Sequence, residues 1–270
     1  MDYQTLAVSL QNHIAHIELN RPDKANALNE TMWNEIRTAF KWADETAEVR
    51  VVVLSGRGKH FCAGIDLISF AGVQQMVADK DQARMREKMR RQILDMQDCM
   101  NAIERCRKPV LAAMHGACVG FAIDMTTCCD MRYSTTDAFF SVKEIDIGMT
   151  ADVGTLQRLP KLIPDGMARE LVYTGRKMSG EEAQKIGLVN RCFDNQEALL
   201  AGVMQIAQDI AQKSPLAMRG TKEMILYARD HSVADGLNYI ATWNAAMLLS
   251  DDLQEAMTAN MQKRPAKFAD

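Results

Sequence analysis

The chain has 270 residues, of which 47% are hydrophobic and 25% are charged; this composition is ordinary for a globular protein that buries a substantial core. Its formal net charge of −3 gives no sign of a nucleic-acid partner or of binding to an acidic membrane. No apolar run approaches the roughly 20 residues of a membrane-spanning helix. We therefore expect neither a nucleic-acid partner nor a membrane partner.

The seven cysteines fit neither a zinc site nor a redox motif, because no pair has C-x-x-C spacing and no His lies near them in a ligand pattern. Their odd number and apolar neighbours indicate reduced, buried thiols, and we expect no metal site. The first residues lack the pattern of a signal or transit peptide. We expect a cytoplasmic protein from a bacterium, or a mitochondrial-matrix protein if a leader has been removed.

Strand and helix patterns alternate in the first half of the chain. Alternating apolar and polar residues predict strands over Tyr3–Leu10 and His13–Asn20. The short apolar runs VVVLSG and PVLAAMHG predict strands that are buried on both faces, and MRYSTTDAFFSV also has strand character. Helical spacing predicts helices over Glu30–Ala47, Asp81–Arg105 and Phe121–Cys129.

Beyond Gly154 the patterns are mostly helical. The predicted helices are Asp165–Thr174, Gly180–Ile186, Gln196–Lys213, Pro215–Arg229, Val233–Leu248 and Asp251–Met261. Strands that alternate with helices and then give way to helices predict a parallel-rich α/β core with a C-terminal helical region. We divide the chain at residues 1–200 and 201–270, without an independent second domain, because no linker rich in Pro, Gly or Ser separates the two parts.

Two glycine-bearing turns follow the predicted buried strands, HFCAGIDL after VVVLSG and HGACVGFAIDM after PVLAAM. Ligands of open α/β sheets gather where parallel strands end, and glycine lets the backbone approach a ligand closely. The second turn leads directly into a helix, so its amide groups lie at the positive end of a helix dipole. Two such turns facing each other would supply a pair of N–H donors for one developing oxyanion.

The stretch VKEIDIGMTADVG places three acids, Glu144, Asp146 and Asp152, among apolar residues. Burying an unpaired carboxylate is costly or raises its pKa. The acids therefore either point outward or include proton carriers in a dry site. Other interpretations remain open from the residues alone: Asp152 could cap a helix that begins near Gly154, and Asp124 could be an ion-paired acid on a helix face.

At these motifs the sequence resembles the enoyl-CoA hydratase/isomerase (crotonase) superfamily. The resemblance is carried by NRPDKANALN, GRGKHFCAGIDL, KPVLAAMHGACVGFAIDMTTCCDMRY, AFFSVKEIDIGMTADVGTLQRLPK and ARELVYTGRKMSGEEAQKIGLVNR, and it runs from about Val8 to about Lys222. More narrowly, ADVGTLQRLPK, SGEEAQKIGLVNRCF, RDHSV and ATWNAAML resemble the Δ3,5-Δ2,4-dienoyl-CoA isomerases.

The resemblance implies a crotonase-fold spiral of repeated ββα units, with C-terminal helices that build a homo-oligomer, a trimer or a dimer of trimers. It implies an acyl-CoA thioester substrate, so coenzyme A is part of the substrate and no separate cofactor is expected. By motif, the thioester oxygen would be held by the backbone N–H groups of Ile65 and Phe121. The family usually has glycine at the second position, so the ring of Phe121 must point away from the thioester.

The resemblance also implies residue roles. Coenzyme A would be bound at Lys24, Ala25, Ala27, Ala63 and Asp66. The catalytic acids would be Asp124, Glu144 and Asp152. Of these, Glu144 would be the base at C2, Asp152 the acid at C6, and Asp124 a neighbour that sets their protonation; Asp146, of the same strand parity as Glu144, is expected to be a surface or ion-paired acid.

The implied reaction is the isomerisation of 3,5-dienoyl-CoA to 2,4-dienoyl-CoA in fatty-acid β-oxidation. A carboxylate must reach within about 3 Å of each proton that it transfers. Because C2 and C6 lie four bonds apart, two carboxyl groups with different pKa values are needed. One alternative is a 2-enoyl-CoA hydratase, which leaves Asp152 without a role. The other is a catalytically silent binding protein, in which Phe121 has closed the site.

Overall fold

The protein is described by a computed structural model that covers residues 2–270. The strands are β1 (Leu6–Gln11), β2 (Ile14–Leu19), β3 (Val51–Gly56), β4 (Val110–Met114), β5 (Ala117–Val119), β6 (Met131–Thr135), β7 (Phe139–Ser141), β8 (Met178–Ser179) and β9 (Arg191–Phe193). The α-helices are α1 (Glu30–Glu45), α2 (Leu67–Met76), α3 (Gln82–Arg105), α4 (Phe121–Thr127), α5 (Thr155–Leu162), α6 (Asp165–Thr174), α7 (Gly180–Lys185), α8 (Gln196–Ala211), α9 (Pro215–Asp230), α10 (Val233–Met247) and α11 (Asp251–Met261). Short 3-10 turns span Pro22–Lys24 and Glu144–Ile147.

A mostly parallel sheet forms the centre of the molecule. Its strand order is β1-β2-β3-β4-β6-β9; within this sheet the β1–β2 pair is antiparallel and the other described pairs are parallel. The later strands β5, β7 and β8 form a second, smaller sheet, in the order β5-β7-β8. The two glycine turns follow β3 and β4, which are adjacent and parallel, so both turns leave the same edge of the sheet.

Alternate residues of the central strands enter two different hydrophobic cores. On one face, Val52, Leu54, Val110 and Ala112 pack with the apolar stripes of α1 and α3. On the other face, Val51, Val53, Leu111 and Ala113 pack with α8. Burial on both faces explains why β3 and β4 have continuous apolar sequences rather than alternating ones.

The predicted parallel-rich core and C-terminal helices are confirmed. The predicted division between residues 200 and 201 falls inside α8, and α8 covers one face of the sheet through Leu199, Val203, Ala207 and Ala211. The α/β core therefore includes the whole of α8, and α9–α11 form the helical region beyond it.

Two local assignments differ from the sequence-based predictions. The sequence LISFAGVQQM has no apolar stripe at helical spacing and so does not predict helix α2 (Leu67–Met76). Strand parity is expected around Glu144, whereas the segment forms the 3-10 turn Glu144–Ile147. With three residues per turn, side chains two positions apart point in different directions, so Glu144 is buried while Asp146 is exposed.

All seven cysteines have free thiols, and Cys192 is the one that is partly exposed. Burial raises the pKa of the Cys62 thiol to about 12, so this thiol stays protonated and unreactive. Among residues 2–270, no group of three His, Cys, Asp or Glu side chains is placed so that it could hold a metal ion. Within the same residues, no helix combines the length and apolar character required to cross a membrane.

Candidate active site

The two glycine turns lie side by side. The Cys62 N–H donates to the carbonyl oxygen of Ala117 at 2.9 Å, and the Val119 N–H donates to the carbonyl oxygen of Cys62 at 3.1 Å. Gly64 has a φ of +99°, and a Cβ added to it would lie 2.9 Å from the carbonyl oxygen of Val119. Only glycine fits there, so the sequence requirement at Gly64 follows directly from the close approach of the two turns.

Each turn offers one backbone amide without a partner. Leu28 donates to the carbonyl oxygen of Gly64 and accepts from Asp66, so the N–H of Ile65 points away from that contact. Phe121 is the first residue of α4, where a backbone N–H has no acceptor within the helix. Neither amide has a hydrogen-bond partner among residues 2–270. Both residues line a cavity of about 250 Å³, so two N–H donors are available to a ligand oxygen.

The ring of Phe121 does not close this cavity. Its side chain is 4% exposed and belongs to the hydrophobic core. It packs edge-on against Trp33 of α1, with 5.1 Å between ring centroids and an interplanar angle of 89°, a favourable aromatic geometry. The predicted orientation, with the ring pointing away from the ligand, is the one that the structure shows. The structure therefore gives no support to a site blocked by Phe121.

Glu144 lines the cavity beside these amides. Its side chain is 5% exposed, and the carboxylate lies against Gly120, where an added Cβ would be 3.4 Å from Oε1. Its Oε2 atom has no hydrogen-bond partner in the described part of the chain. Burial raises the pKa of Glu144, and the nearby charge of Asp152 raises it further. An unpartnered carboxylate with a raised pKa is suited to accept a proton from a ligand.

Asp124 is completely buried on α4. Its Oδ1 atom accepts the backbone N–H of Thr155 at 2.6 Å, so this carboxylate caps the N-terminus of α5 from a different helix. Burial, followed by the charge of Glu144, raises the pKa of Asp124 to about 7. Neither Asp124 Oδ2 nor Thr155 Oγ1 has a partner among the described residues. The predicted neighbour of Glu144 is therefore also a structural link to the segment that follows Asp152.

Asp152 lies on the loop between the Glu144–Ile147 turn and α5, and it is partly exposed. Burial raises its pKa, and its charge raises the pKa values of both Glu144 and Asp124. The residue that caps α5 at the N-cap position is Gly154, so Asp152 is not the N-cap. Asp152 is not among the residues that line the 250 Å³ cavity.

Asp146 has the surface role predicted for it. Its carboxylate is about half exposed and forms an ion pair with Lys143, three residues earlier in the same turn. It stands at the rim of the cavity. Asp146 therefore provides a nearby exposed acid with which the buried Glu144 can be compared.

The raised pKa of Asp124 predicts that the stability of the protein depends on pH. The pKa of Asp124 is about 7 when folded, against an ordinary 3.8, so the folded state binds more protons between these values than the unfolded state does. The stabilisation is complete below pH 3.8 and is lost as the pH rises through 7. Asp124→Asn retains an oxygen acceptor for Thr155 but has no charge. We expect the variant to lose less stability than the wild type between pH 5 and pH 8, by about 1–4 kcal/mol.

Urea unfolding at the two pH values measures this difference, because the slope with denaturant should be the same in both proteins. If the wild type and Asp124→Asn lose the same free energy of unfolding between pH 5 and pH 8, the raised pKa of Asp124 is refuted.

The predicted coenzyme A residues are brought together in one loop layer. The Ala63 N–H donates to the carbonyl oxygen of Ala25 at 3.0 Å, and Arg21 donates to the carbonyl oxygen of Ala27 and to the Asp66 carboxylate. The Asp66 carboxylate also accepts the N–H groups of Ile68 and Ser69 in the first turn of α2, so its side chain has a structural role. Although burial opposes the shift, the Arg21 contact helps to lower the pKa of Asp66. Lys24 ends the Pro22–Lys24 turn and is exposed.

Sequence reasoning missed Asn26, which holds this loop in place. Asn26 is fully buried and has a φ of +54°, a left-handed conformation that Asn tolerates better than most residues. Its Nδ2 donates to the carbonyl oxygens of Arg57 and His60 at 2.9 and 2.8 Å, and its Oδ1 accepts the Arg21 N–H at 2.8 Å. The feature of the sequence that points to this role is the position of Asn26 within the turn-rich stretch NRPDKANALN.

Comparison with known proteins identifies the family of this chain. A sequence model described as "Enoyl-CoA hydratase/isomerase" matches residues 9–270. The peroxisomal Δ(3,5)-Δ(2,4)-dienoyl-CoA isomerase of Arabidopsis thaliana is 48% identical over 271 residues, covering 99% of this chain and 98% of that protein. The mitochondrial protein of the same name from Homo sapiens is 46% identical, covering 98% of this chain and 81% of that protein.

A solved structure has the same fold. The enoyl-CoA hydratase of Bacillus anthracis superposes with a TM-score of 0.89 at 30% sequence identity, covering 98% of this chain and 99% of that chain. This similarity confirms the predicted crotonase fold. The match of the family model and the identity to the isomerases confirm the resemblance seen in the motifs. The chain therefore belongs to the enoyl-CoA hydratase/isomerase family.

Proposed function

We propose that the protein isomerises 3,5-dienoyl-CoA to 2,4-dienoyl-CoA in fatty-acid β-oxidation. One observation carries the proposal: the buried, unpartnered carboxylate of Glu144 lines the same cavity as two unpartnered backbone amides, and the charge of Asp152 raises the pKa of both Glu144 and Asp124. The isomerases of Arabidopsis thaliana and Homo sapiens support the same reaction, since they match almost the whole chain at 46–48% identity.

In this mechanism the thioester oxygen accepts the N–H groups of Ile65 and Phe121. Glu144 removes a proton from C2; the electron pair of that C–H bond forms a C1=C2 double bond, and the C1=O pair moves onto the thioester oxygen, where the two amides stabilise the negative charge. In the second step the C1=O bond re-forms and the C1=C2 pair moves to C2=C3. The C3=C4 pair moves to C4=C5, and the C5=C6 pair takes a proton from Asp152 to form the new C–H bond at C6.

The turnover leaves Glu144 protonated and Asp152 ionised, so a proton exchange with solvent must restore the starting state. Asp124 supports this arrangement in two ways. With a pKa raised to about 7 by burial and by the charge of Glu144, it can be neutral beside that residue, and its contact with the Thr155 amide fixes the start of α5, three residues after Asp152. Coenzyme A is part of the substrate, and the Lys24, Ala25, Ala27, Ala63 and Asp66 layer would receive it.

The amide of Phe121 can be tested separately from its ring. Phe121 is the first residue of α4, where proline is well tolerated and has no N–H. Phe121→Ala loses the ring and keeps the donor, whereas Phe121→Pro loses both. We expect kcat for the diene shift to be about 10²–10³-fold lower in Phe121→Pro than in Phe121→Ala, measured on folded protein. Equal kcat values in the two variants would remove Phe121 from the oxyanion site.

The C-terminal helices support a homo-oligomer, a trimer or a dimer of trimers. No residue of α10 is buried in the described chain. Its apolar residues Val233 and Leu237 are 80% and 64% exposed, and Leu249, just after α10, is 91% exposed. Apolar side chains exposed together mark an interaction surface. Native mass measurement should give three or six times the 30.2 kDa of one chain; a monomer would refute the assembly.

We place the protein in the cytoplasm, or in the mitochondrial matrix if a leader is removed, which cell fractionation tests.

A substrate assay separates the candidate functions. Purified protein is given 3,5-octadienoyl-CoA and, separately, crotonyl-CoA, while conjugated-dienoyl absorbance and hydration are followed. The isomerase forms the conjugated 2,4-diene from the first substrate. Rapid hydration of crotonyl-CoA with no diene shift would instead indicate a hydratase, and inactivity with both would indicate a binding protein.

A further inference from the structure

One face of α3 holds the segment that carries Asp152. Gln97, Asn101 and Glu104 are spaced four and three residues apart, so they lie on the same side of the helix. The Nε2 atom of Gln97 donates to the backbone carbonyl oxygen of Asp152 at 2.6 Å. This contact joins residues that are 55 positions apart in the chain, and it places α3 directly behind the proposed acid.

Few hydrogen bonds hold the loop around Asp152, although Ala151 and Val153 on either side of it are buried in the hydrophobic core. It is bounded by Gly148 and Gly154, which have φ values of +74° and +131°. In the described part of the chain, Gln97 provides the one hydrogen bond from another secondary-structure element to residues 150–153. Both glycines adopt conformations that other residues rarely adopt, and the Gln97 contact is the hydrogen bond that fixes the main chain at Asp152 itself.

The downstream end of the loop is fixed by an ion-paired arginine. Arg158 of α5 donates to Asn101 at 2.8 Å and to both carboxylate oxygens of Glu104 at 3.0 Å. Its guanidinium occupies the space beside Gly154, where a Cβ would lie 2.0 Å from Nη1. Glu104 also contacts Arg229 of α9. Although burial opposes the shift, the two arginines lower the pKa of Glu104 to about 2, so the pair stays charged.

The Gln97 side chain also borders a cavity of about 520 Å³, separate from the ligand cavity, together with Gly154, Gln157 and Arg158. Its polar contact is therefore not buried within a packed core. A substitution at Gln97 would change the hydrogen bond to Asp152 without removing core volume, which makes the residue suitable for a test of position rather than of folding.

From this geometry we infer that Gln97 is a positioning residue for Asp152: its amide holds the main chain so that the carboxyl group reaches C6. The inference rests on the isomerase function proposed above. A displacement of about 1 Å in a reacting group can cost about a hundredfold in rate. Loss of the Gln97 contact should therefore impair C6 protonation while leaving Glu144, which Gln97 does not contact, in place.

The test compares Gln97→Met with Gln157→Ala. Gln97→Met keeps the length of the side chain but has no N–H donor, and Gln97→Ala is a second variant. Gln157 is exposed and borders the same cavity, so Gln157→Ala is the matched control. With 3,5-octadienoyl-CoA, we expect kcat to fall about 10- to 100-fold in Gln97→Met, with KM within about threefold of wild type.

The decisive readout is a ratio. In D2O, exchange of the C2 hydrogen in recovered substrate reports deprotonation by Glu144, and dienoyl absorbance reports completed turnover. Gln97→Met should raise the ratio of exchange to product, and Gln157→Ala should not. An unchanged ratio in Gln97→Met and Gln97→Ala, or failure of both to fold, would overturn the positioning role. Inactive wild-type protein would instead refute the proposed function itself.

Discussion

Glu144→Gln is expected to lower kcat for the diene shift by about 10²–10⁴-fold, the usual contribution of a positioned general base. The carboxamide has the same shape as the carboxylate but cannot accept a proton. The loss should be large because Glu144 is the buried acid that lines the cavity with the free amides. Its raised pKa makes it a stronger base than an exposed glutamate.

The matched control for this variant is Asp146→Asn. Asp146 lies two residues away in the same 3-10 turn, is exposed and is ion-paired with Lys143. We expect its kcat to stay within about threefold of wild type, because exposed ion pairs contribute little. Glu144→Gln retaining more than about a tenth of the wild-type kcat would exclude Glu144 as the base.

Asp152→Asn is expected to have a loss of similar size, about 10²–10⁴-fold in kcat, because the amide cannot supply the proton that C6 needs. The partly buried position raises the pKa of Asp152, which favours the protonated form that a general acid requires. Asp152→Glu keeps a carboxyl group and moves it outward by one methylene, so it should retain more activity than Asp152→Asn.

This variant also separates the isomerase from the hydratase alternative. A hydratase would activate water between Glu144 and Asp124, and Asp152 would have no part in the reaction. Under that alternative, Asp152→Asn would hydrate crotonyl-CoA at close to the wild-type rate and would show no defect in any assay. A dienoyl-specific defect is the outcome that the isomerase requires.

Local patterns predicted most elements well. Helix α11 begins and ends at the predicted residues, Asp251 and Met261, since Ser250 caps its first turn by accepting the Leu253 N–H and Ser is a strong N-cap signal. The continuous apolar runs of β3 and β4 identified buried parallel strands. Periodicity failed at α2 and at the Glu144 turn, because neither has a single apolar face or a strict alternation.

The glycine turns and acids of the site were visible in the sequence, but their connections were not. The contact between Asp124 and Thr155 spans 31 residues, and that between Gln97 and Asp152 spans 55. Such pairs depend on how helices pack around the sheet, and no local pattern records them. The packing partner of the Phe121 ring, Trp33, likewise lies on another helix.

The central claim is that the two acids divide the two proton transfers between them. Hydrogen exchange at C2 in D2O, measured side by side in Glu144→Gln and Asp152→Asn with 3,5-octadienoyl-CoA, tests it most directly. We predict that Asp152→Asn exchanges the C2 hydrogen without forming the 2,4-diene, and that Glu144→Gln does neither. Loss of exchange in both variants, or exchange that persists in Glu144→Gln, would contradict the division.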